Sequence, residues 1–293
     1  MRLLIDLISL SIIFQNFMLK FYQSYLKVLS LVSPKLASNI AFKLFCTPIN
    51  KKLREREIEV LKTSLSENIK FEDTFIKKYT WGNGSKTALL VHGWESNAGS
   101  LGAFVKLLTE NDYKVIGFDC PAHGQSGGKQ TTLFRNSDAA LLICNQIGHI
   151  NIAITHSFGS VVLMNAILHN KNISLDKLVM ITTPNELQKA FDDFYHLLKI
   201  NHRVKQRMEQ KIEKRYNIKI KDMTASVLCH QLELKHAIIV HDKQDKVIPF
   251  HNAEIVAKNL KNCQLIPIEN AGHYKILWDN RVVDLVEKEI NYI

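Results

Sequence analysis

Short, continuous apolar runs separated by stretches of helical length constrain this chain more than any other feature. "TALLVH" (87–92), "YKVIGFD" (113–119), "INIAIT" (150–155), "KLVMIT" (177–182), "HAIIVH" (236–241) and "CQLIPI" (263–268) are too short for buried helices. They lack the alternation of a strand with one wet face, and they read as strands buried on both faces, as in a parallel sheet. "FIKKYTW" (75–81) reads as a further strand, closed by a Gly-Asn-Gly turn. Helical lengths lie between most of the runs, near 99–111, 130–147, 158–170 and 250–260, and a last helix is expected near 279–291. The alternation implies an α/β chain: a mostly parallel central sheet flanked by helices.

Two regions depart from this rhythm. Residues 184–235 hold no strand candidate, only charged helical sequence, and are too long for an ordinary connection. A helical insertion is expected over 185–233, a cap or lid whose Phe191, Phe194, Tyr195, Leu197 and Leu198 would supply an apolar face. Residues 20–62 also read as helical, broken at Ser33-Pro34 and ended at Thr47-Pro48, with "KKLREREIEVLK" expected to be solvated. The expected division is an N-terminal helical extension over 1–70, a core over 71–184 and 234–293, and the insertion between the two core segments. The stretch "LLIDLISLSIIFQNFML" (3–19) is interrupted by Asp6, Gln15 and Asn16, and falls short of the roughly 20 apolar residues of a membrane span. No small-residue cleavage site follows it. Packing on the body, peripheral membrane contact through residues 1–62, and a start at Met18 all stay open.

The chain has 293 residues, of which 46% are hydrophobic, enough for a large α/β core. Its net charge of +10 is concentrated: residues 1–62 carry 10 Lys/Arg against 4 Asp/Glu, and residues 199–221 carry 9 against 2. The rest is mildly acidic, so nucleic acid is not an expected partner. The basic run 199–221 is a solvated helix face or an attraction for an anionic substrate or membrane. Cys46, Cys120, Cys144, Cys229 and Cys263 are dispersed and odd in number, which argues for a reducing, cytoplasmic location, with membrane association left open. No zinc-ligand spacing occurs.

Ligands of open α/β sheets bind beyond the carboxyl ends of the strands. There this sequence places His92-Gly93-Trp94, "DCPAHGQSGG" (119–128), Ser157, "DKQDKVIP" (242–249) and "ENAGHYKIL" (269–277). A serine, a carboxylate and a histidine thus fall at one edge, in that order. Around Ser157 the sequence "THSFG" nearly spells G-x-S-x-G, the strand-to-helix turn that lifts a nucleophilic serine out of a sheet, with Thr155 in place of the first glycine.

Over residues 75–291 the chain resembles the α/β-hydrolase-fold serine hydrolases. "HGW" resembles the oxyanion loop of that family, "FDCPAHGQSGG" its D-x-x-G-x-G-x-S loop, "HDKQDKVIP" its acid loop with Asp242 where glycine is usual, and "NAGH" its histidine loop. "CPAHGQS", "HSFG" and "GHYKILWD" together suggest a bacterial subgroup of generic hydrolases. The resemblance implies Ser157 as nucleophile, His273 as base, Asp245 as the acid that orients it, and the backbone amides of Trp94 and Phe158 as oxyanion donors. No metal or organic cofactor is implied. Asp242 is the rival for the acid, and sits where a turn tolerates aspartate. Thr155 reads as a tolerated substitution, and Gly159 keeps the other side of the turn open. His156, Phe191 and Phe194 are candidate substrate contacts. His92 is expected to bond backbone near the oxyanion loop, His123 to order its own loop, and His241 to be structural. The expected chemistry is cleavage of a carboxylic ester, with small or lipid-like esters as substrates, through an acyl-enzyme. Thioesterase, peptidase and acyltransferase activities use the same triad, and a non-catalytic binding or membrane-associated protein that retains the fold is the rival from another class. Oligomeric state is not legible.

Overall fold

The computed structural model describes residues 2–170, 173–232 and 234–291, with the side chains of the first helix described from Phe17 onward. The side chains of the apolar stretch before Phe17, on which membrane contact in part depends, lie outside the described residues. The strands are β1 (Leu65–Phe71), β2 (Thr74–Trp81), β3 (Lys86–Val91), β4 (Tyr113–Phe118), β5 (His149–His156), β6 (Ser174–Ile181), β7 (His236–Asp242) and β8 (Cys263–Ile268). The helices are α1 (Arg2–Val32), α2 (Pro34–Phe45), α3 (Glu55–Lys62), α4 (Ala103–Glu110), α5 (Leu133–Ile147), α6 (Phe158–Leu168), α7 (Gln188–Leu197), α8 (His202–Tyr216), α9 (Ala225–Cys229), α10 (His251–Asn259) and α11 (Asn280–Asn291).

One sheet takes the strands in the order β1-β2-β4-β3-β5-β6-β7-β8. β1 and β2 run antiparallel, and β4 through β8 run parallel to one another. Every apolar run expected as a strand forms one, because each buries a continuous face: Ala88–Val91 of β3, Ile150, Ile152 and Ile154 of β5, and Ala237–Val240 of β7 are all buried. β1 has no such run. Its residues are mostly exposed apart from Phe71, and it pairs only with β2 at the edge, so periodicity does not announce it. "KKLREREIEVLK" departs from the expectation of a solvated stretch. Part of it folds as α3, which buries Glu57 and Leu61.

Two compact units divide the described chain: residues 1–46 with 186–223, and residues 47–185 with 224–293. In the first, Ser33 and Pro34 break α1 from α2, and the Ser33 hydroxyl accepts the Leu36 amide. Val204, Met208 and Ile212 form the buried stripe of α8. Lys211 donates to Asn39 at 3.0 Å, and Asn201 to Ser30 at 2.6 Å. Phe45 of α2 stacks on Phe191 (4.2 Å between ring centres) and meets Phe194 edge-on (5.2 Å). The N-terminal segment is therefore not one block: α1 and α2 group with the insertion, and α3 and β1 with the sheet. The second unit holds the sheet. Its parallel strands end in register, Val91 beside Thr155, His156 beside Ile181 and Asp242 beside Ile268, so the loops that follow them gather along one edge.

Candidate active site

Ser157 joins β5 to α6 with φ 51° and ψ −124°, a backbone state that costs a non-glycine residue about 1–3 kcal/mol. The turn is held from both sides. The Ser157 amide donates to Ile181 O at 2.9 Å, and the carbonyl accepts the Ser160 amide. Gly159 is obligatory, since a Cβ there would stand 2.4 Å from Val91 O and 2.5 Å from His92 O. Thr155 is fully buried, and its hydroxyl turns into the sheet. It donates to Val179 O at 3.3 Å, which leaves the Ser160 hydroxyl to donate to it at 2.9 Å.

His273 follows β8 on a loop held by the side chains of Asp242, Gln244, Asp245 and His156. Its Nδ1 lies 2.7 Å from Asp245 Oδ2, with both groups buried. Asp245 Oδ1 accepts the amides of Val247 (2.7 Å) and Ile248 (3.0 Å). Burial works to raise the Asp245 pKa, but the His273 bond and the two amides outweigh it, and the carboxyl is held below its usual value. Asp242 does not reach the imidazole. It accepts the amides of Gln244 (2.8 Å), Ala271 (2.6 Å) and Gly272, and so pins the histidine loop through its backbone. His156 is buried and donates Nε2–H to His273 O at 3.0 Å, with the two rings 5.0 Å apart. Burial and the nearby His273 push its pKa down to about 3, so the ring is neutral near pH 7. His241 donates Nε2–H to Ile248 O at 2.9 Å and supports the acid loop from below. Ser157 Oγ makes no hydrogen bond among the described residues, to His273 included. The two meet through His156, which precedes the serine in sequence and touches the histidine in space.

The Phe158 amide opens α6, and the Trp94 amide follows the His92-Gly93 turn. Neither donates elsewhere among the described residues, and their rings meet edge-on at 5.9 Å. The Cys120 amide donates to His92 Nε2 at 2.9 Å, which fixes the ring as the tautomer that donates Nδ1–H to Gly93 O at 2.7 Å. The loop after β3 is thereby tied to the loop after β4. His123 Nδ1 bonds Pro121 O at 3.0 Å within its own loop, and its ring edge meets Trp94 at 5.1 Å. Burial drives the pKa of His92 to about 4 and that of His123 to about 3. Phe191 and Phe194 are engaged with Phe45 in the helical unit, as described above.

Sequence reading misses a strap along this edge. Ile49 donates to Glu95 Oε1 (2.8 Å), Lys51 to Gly128 O (3.3 Å) and Gln130 to Thr47 Oγ1 (3.3 Å), so residues 47–51 run across the loops after β3 and β4. The strap ends at α3, where Glu57 Oε2 accepts the Arg54 amide at 2.9 Å and Asn97 Nδ2 at 3.0 Å. The Glu three residues past the Arg54 cap is the one sequence signal for that contact, the reciprocal half of a capping box.

Comparison with known proteins agrees with this fold. The chain is 26% identical over 111 residues to the uncharacterised hydrolase YugF of Bacillus subtilis (strain 168), a stretch covering 36% of this chain and 40% of that protein. The chain thus matches well under two thirds of the curated relative. Its fold is similar to that of a putative lipase from Acinetobacter baumannii (TM-score 0.61, 19% identity, 82% of this chain and 96% of that one). It is also similar to a membrane phospholipase A described as a bacterial virulence factor (TM-score 0.60, 14% identity, 100% of this chain and 99% of that one). At these identities the two structures speak for the fold alone. Residues 88–287 match the alpha/beta hydrolase family, a span that takes in the β3 loop, the serine turn, the acid loop and the histidine loop, and the chain belongs to that family.

Proposed function

We propose that the chain is a serine hydrolase that cleaves a carboxylic ester through an acyl-enzyme. Ser157 attacks the carbonyl, His273 takes the serine proton and passes it to the leaving alcohol, and Asp245 holds His273 in the tautomer whose Nε2 is free to accept. The amides of Trp94 and Phe158 stabilise the oxyanion, and water releases the acid in a second round. The observation that carries this reading is the 2.7 Å bond between buried Asp245 and His273 on a loop that contacts the strained serine turn. A fluorophosphonate probe tests it: Ser157 labels in folded protein and Ser157→Ala does not. Equal labelling of the two proteins sinks the reading.

The insertion acts as a lid in this proposal. What supports that role is its neck, where Asn185 accepts the amides of Ala225 (2.8 Å) and Ser226 (3.0 Å) and closes the two ends of the insertion together just past β6. The N-terminal helix supplies a membrane contact. Phe17, Phe21, Val28, Leu31 and Val32 are exposed on α1 beside Lys20 and Lys27, and no acidic residue occurs between Asp6 and Glu55. Full-length protein should sediment with anionic vesicles at low salt, and a version starting at Met18 should do so more weakly. If both stay wholly in the supernatant, that contact is wrong.

A further inference from the structure

A cleft of about 880 Å³ opens beside His273, walled by the histidine loop on one side and by Arg54 and Arg56 on the other, with Lys275, Tyr274 and Trp278 completing it. Its charge is unbalanced. Arg56 and Lys275 make no ion pair among the described residues, and Arg56 Nε is buried without a hydrogen-bond partner. The Arg56 guanidinium lies over the Trp278 ring at 4.5 Å, which fixes its plane. Arg54 reaches Glu57 only at 3.8 Å, and the second oxygen of that carboxylate already serves the Arg54 and Asn97 nitrogens. Asp242 is the one acid in the lining, and both its oxygens are taken up by backbone amides.

A guanidinium oriented by an aromatic face and left without a carboxylate is a fork ready for a planar or tetrahedral anion. His273 lines this cleft and is the base of the triad proposed above, so an anion seated on Arg56 lies beside the histidine loop that the proposed chemistry uses. We infer that the Arg54–Arg56–Lys275 cleft binds the anionic group of the ester substrate: a carboxylate remote from the scissile bond on the acyl side, or a phosphate on the leaving alcohol. The inference rests on the hydrolase reading for the word substrate, and on the cleft alone for the word anion.

Two experiments separate those parts. In the first, monoethyl glutarate against diethyl glutarate, and hexyl phosphate against hexanol, are titrated by calorimetry into Ser157→Ala protein. The charged member of at least one pair binds about tenfold tighter, as one charge-assisted fork warrants. The advantage shrinks in Arg56→Gln, and also in Lys275→Gln, whose exposed site carries no folding risk. A preference confined to the first pair puts the anion on the acyl chain, and one confined to the second puts it on the alcohol. Equal affinity within both pairs, or an advantage that survives both substitutions, overturns the inference. In the second, kcat/KM is compared for mono-4-nitrophenyl glutarate and 4-nitrophenyl pentanoate. Where the first experiment has put the anion on the acyl chain, turnover of both without charge preference overturns the anion site alone, whereas no turnover of either, with no fluorophosphonate labelling, overturns the hydrolase reading.

Discussion

Thr155 occupies the position where the family's serine turn usually has glycine, and its surroundings explain why a branched side chain is accommodated. The side chain is fully buried, and its hydroxyl links Val179 O of β6 to Ser160 of α6. Replacing it by the isosteric Thr155→Val keeps the packing but leaves the buried Ser160 hydroxyl without its acceptor, at a cost of about 1–3 kcal/mol. Chemical denaturation should show that loss while fluorophosphonate labelling of Ser157 persists. Lost labelling at unchanged stability would instead put the Thr155 hydroxyl in the chemistry. Ser157 was legible as a candidate because a serine after an apolar run, with a glycine two residues on, is a local pattern. The partner of Thr155 was not, because it is set by the register of β5 against β6, which no short stretch of sequence encodes.

The loops after β7 and β8 act as one element made of two. Asp245 meets the imidazole and Asp242 meets the backbone around it, so the two aspartates three residues apart should fail differently. Asp245→Asn leaves the loop in place but removes the acceptor that fixes the imidazole tautomer, and kcat should fall by about 10⁴ with little change in KM. Asp242→Asn weakens the hold on the Ala271 and Gly272 amides, and should lower stability by about 1–3 kcal/mol with a smaller loss in kcat. Matched kinetics and melting curves on the pair check this, and the reverse pattern would make Asp242 the acid. Counting from the end of β7 and the likeness to the family's acid loop point to Asp245. What Asp242 does became visible only with β8 in place, since its partners lie 29 and 30 residues away. The strap over 47–51 was illegible for the same reason: its contacts are single backbone and side-chain bonds with no periodicity behind them.

At the scale of the whole molecule, buried titratable groups set the response to acid. His92, His123 and His156 have folded pKa values near 4, 3 and 3 against an ordinary 6.5, so below pH 6.5 the unfolded chain binds more protons and stability falls as pH drops. Asp119 runs the other way. Burial outweighs its hydrogen bonds with Gln125, Ala98 and Tyr79 and raises its pKa from 3.8 to about 6, so its contribution grows as pH falls through 6. The depressed carboxyls of Asp242 and Asp245 act only below 3.8. His241, also pushed down by burial, adds to the three histidines, while Asp138 and Glu209, pushed up by burial at more exposed sites, side weakly with Asp119, so stability should fall as pH drops from 6 to 5. Urea midpoints across that interval check it, and a flat profile would contradict it. The sheet was legible in the sequence because burial on both faces writes itself as apolar runs. The grouping of 1–46 with 186–223 was not, because it depends on contacts between distant segments such as Phe45 with Phe191. That discontinuity carries a consequence for synthesis. α1 and α2 leave the ribosome ahead of α7 and α8, which follow about 140 residues later, and at about 5–20 residues per second that is some 7–30 seconds of waiting. During that interval the α2 face around Phe45 has no partner to cover it, so a nascent chain of this protein should need a chaperone for longer than one whose sheet comes first.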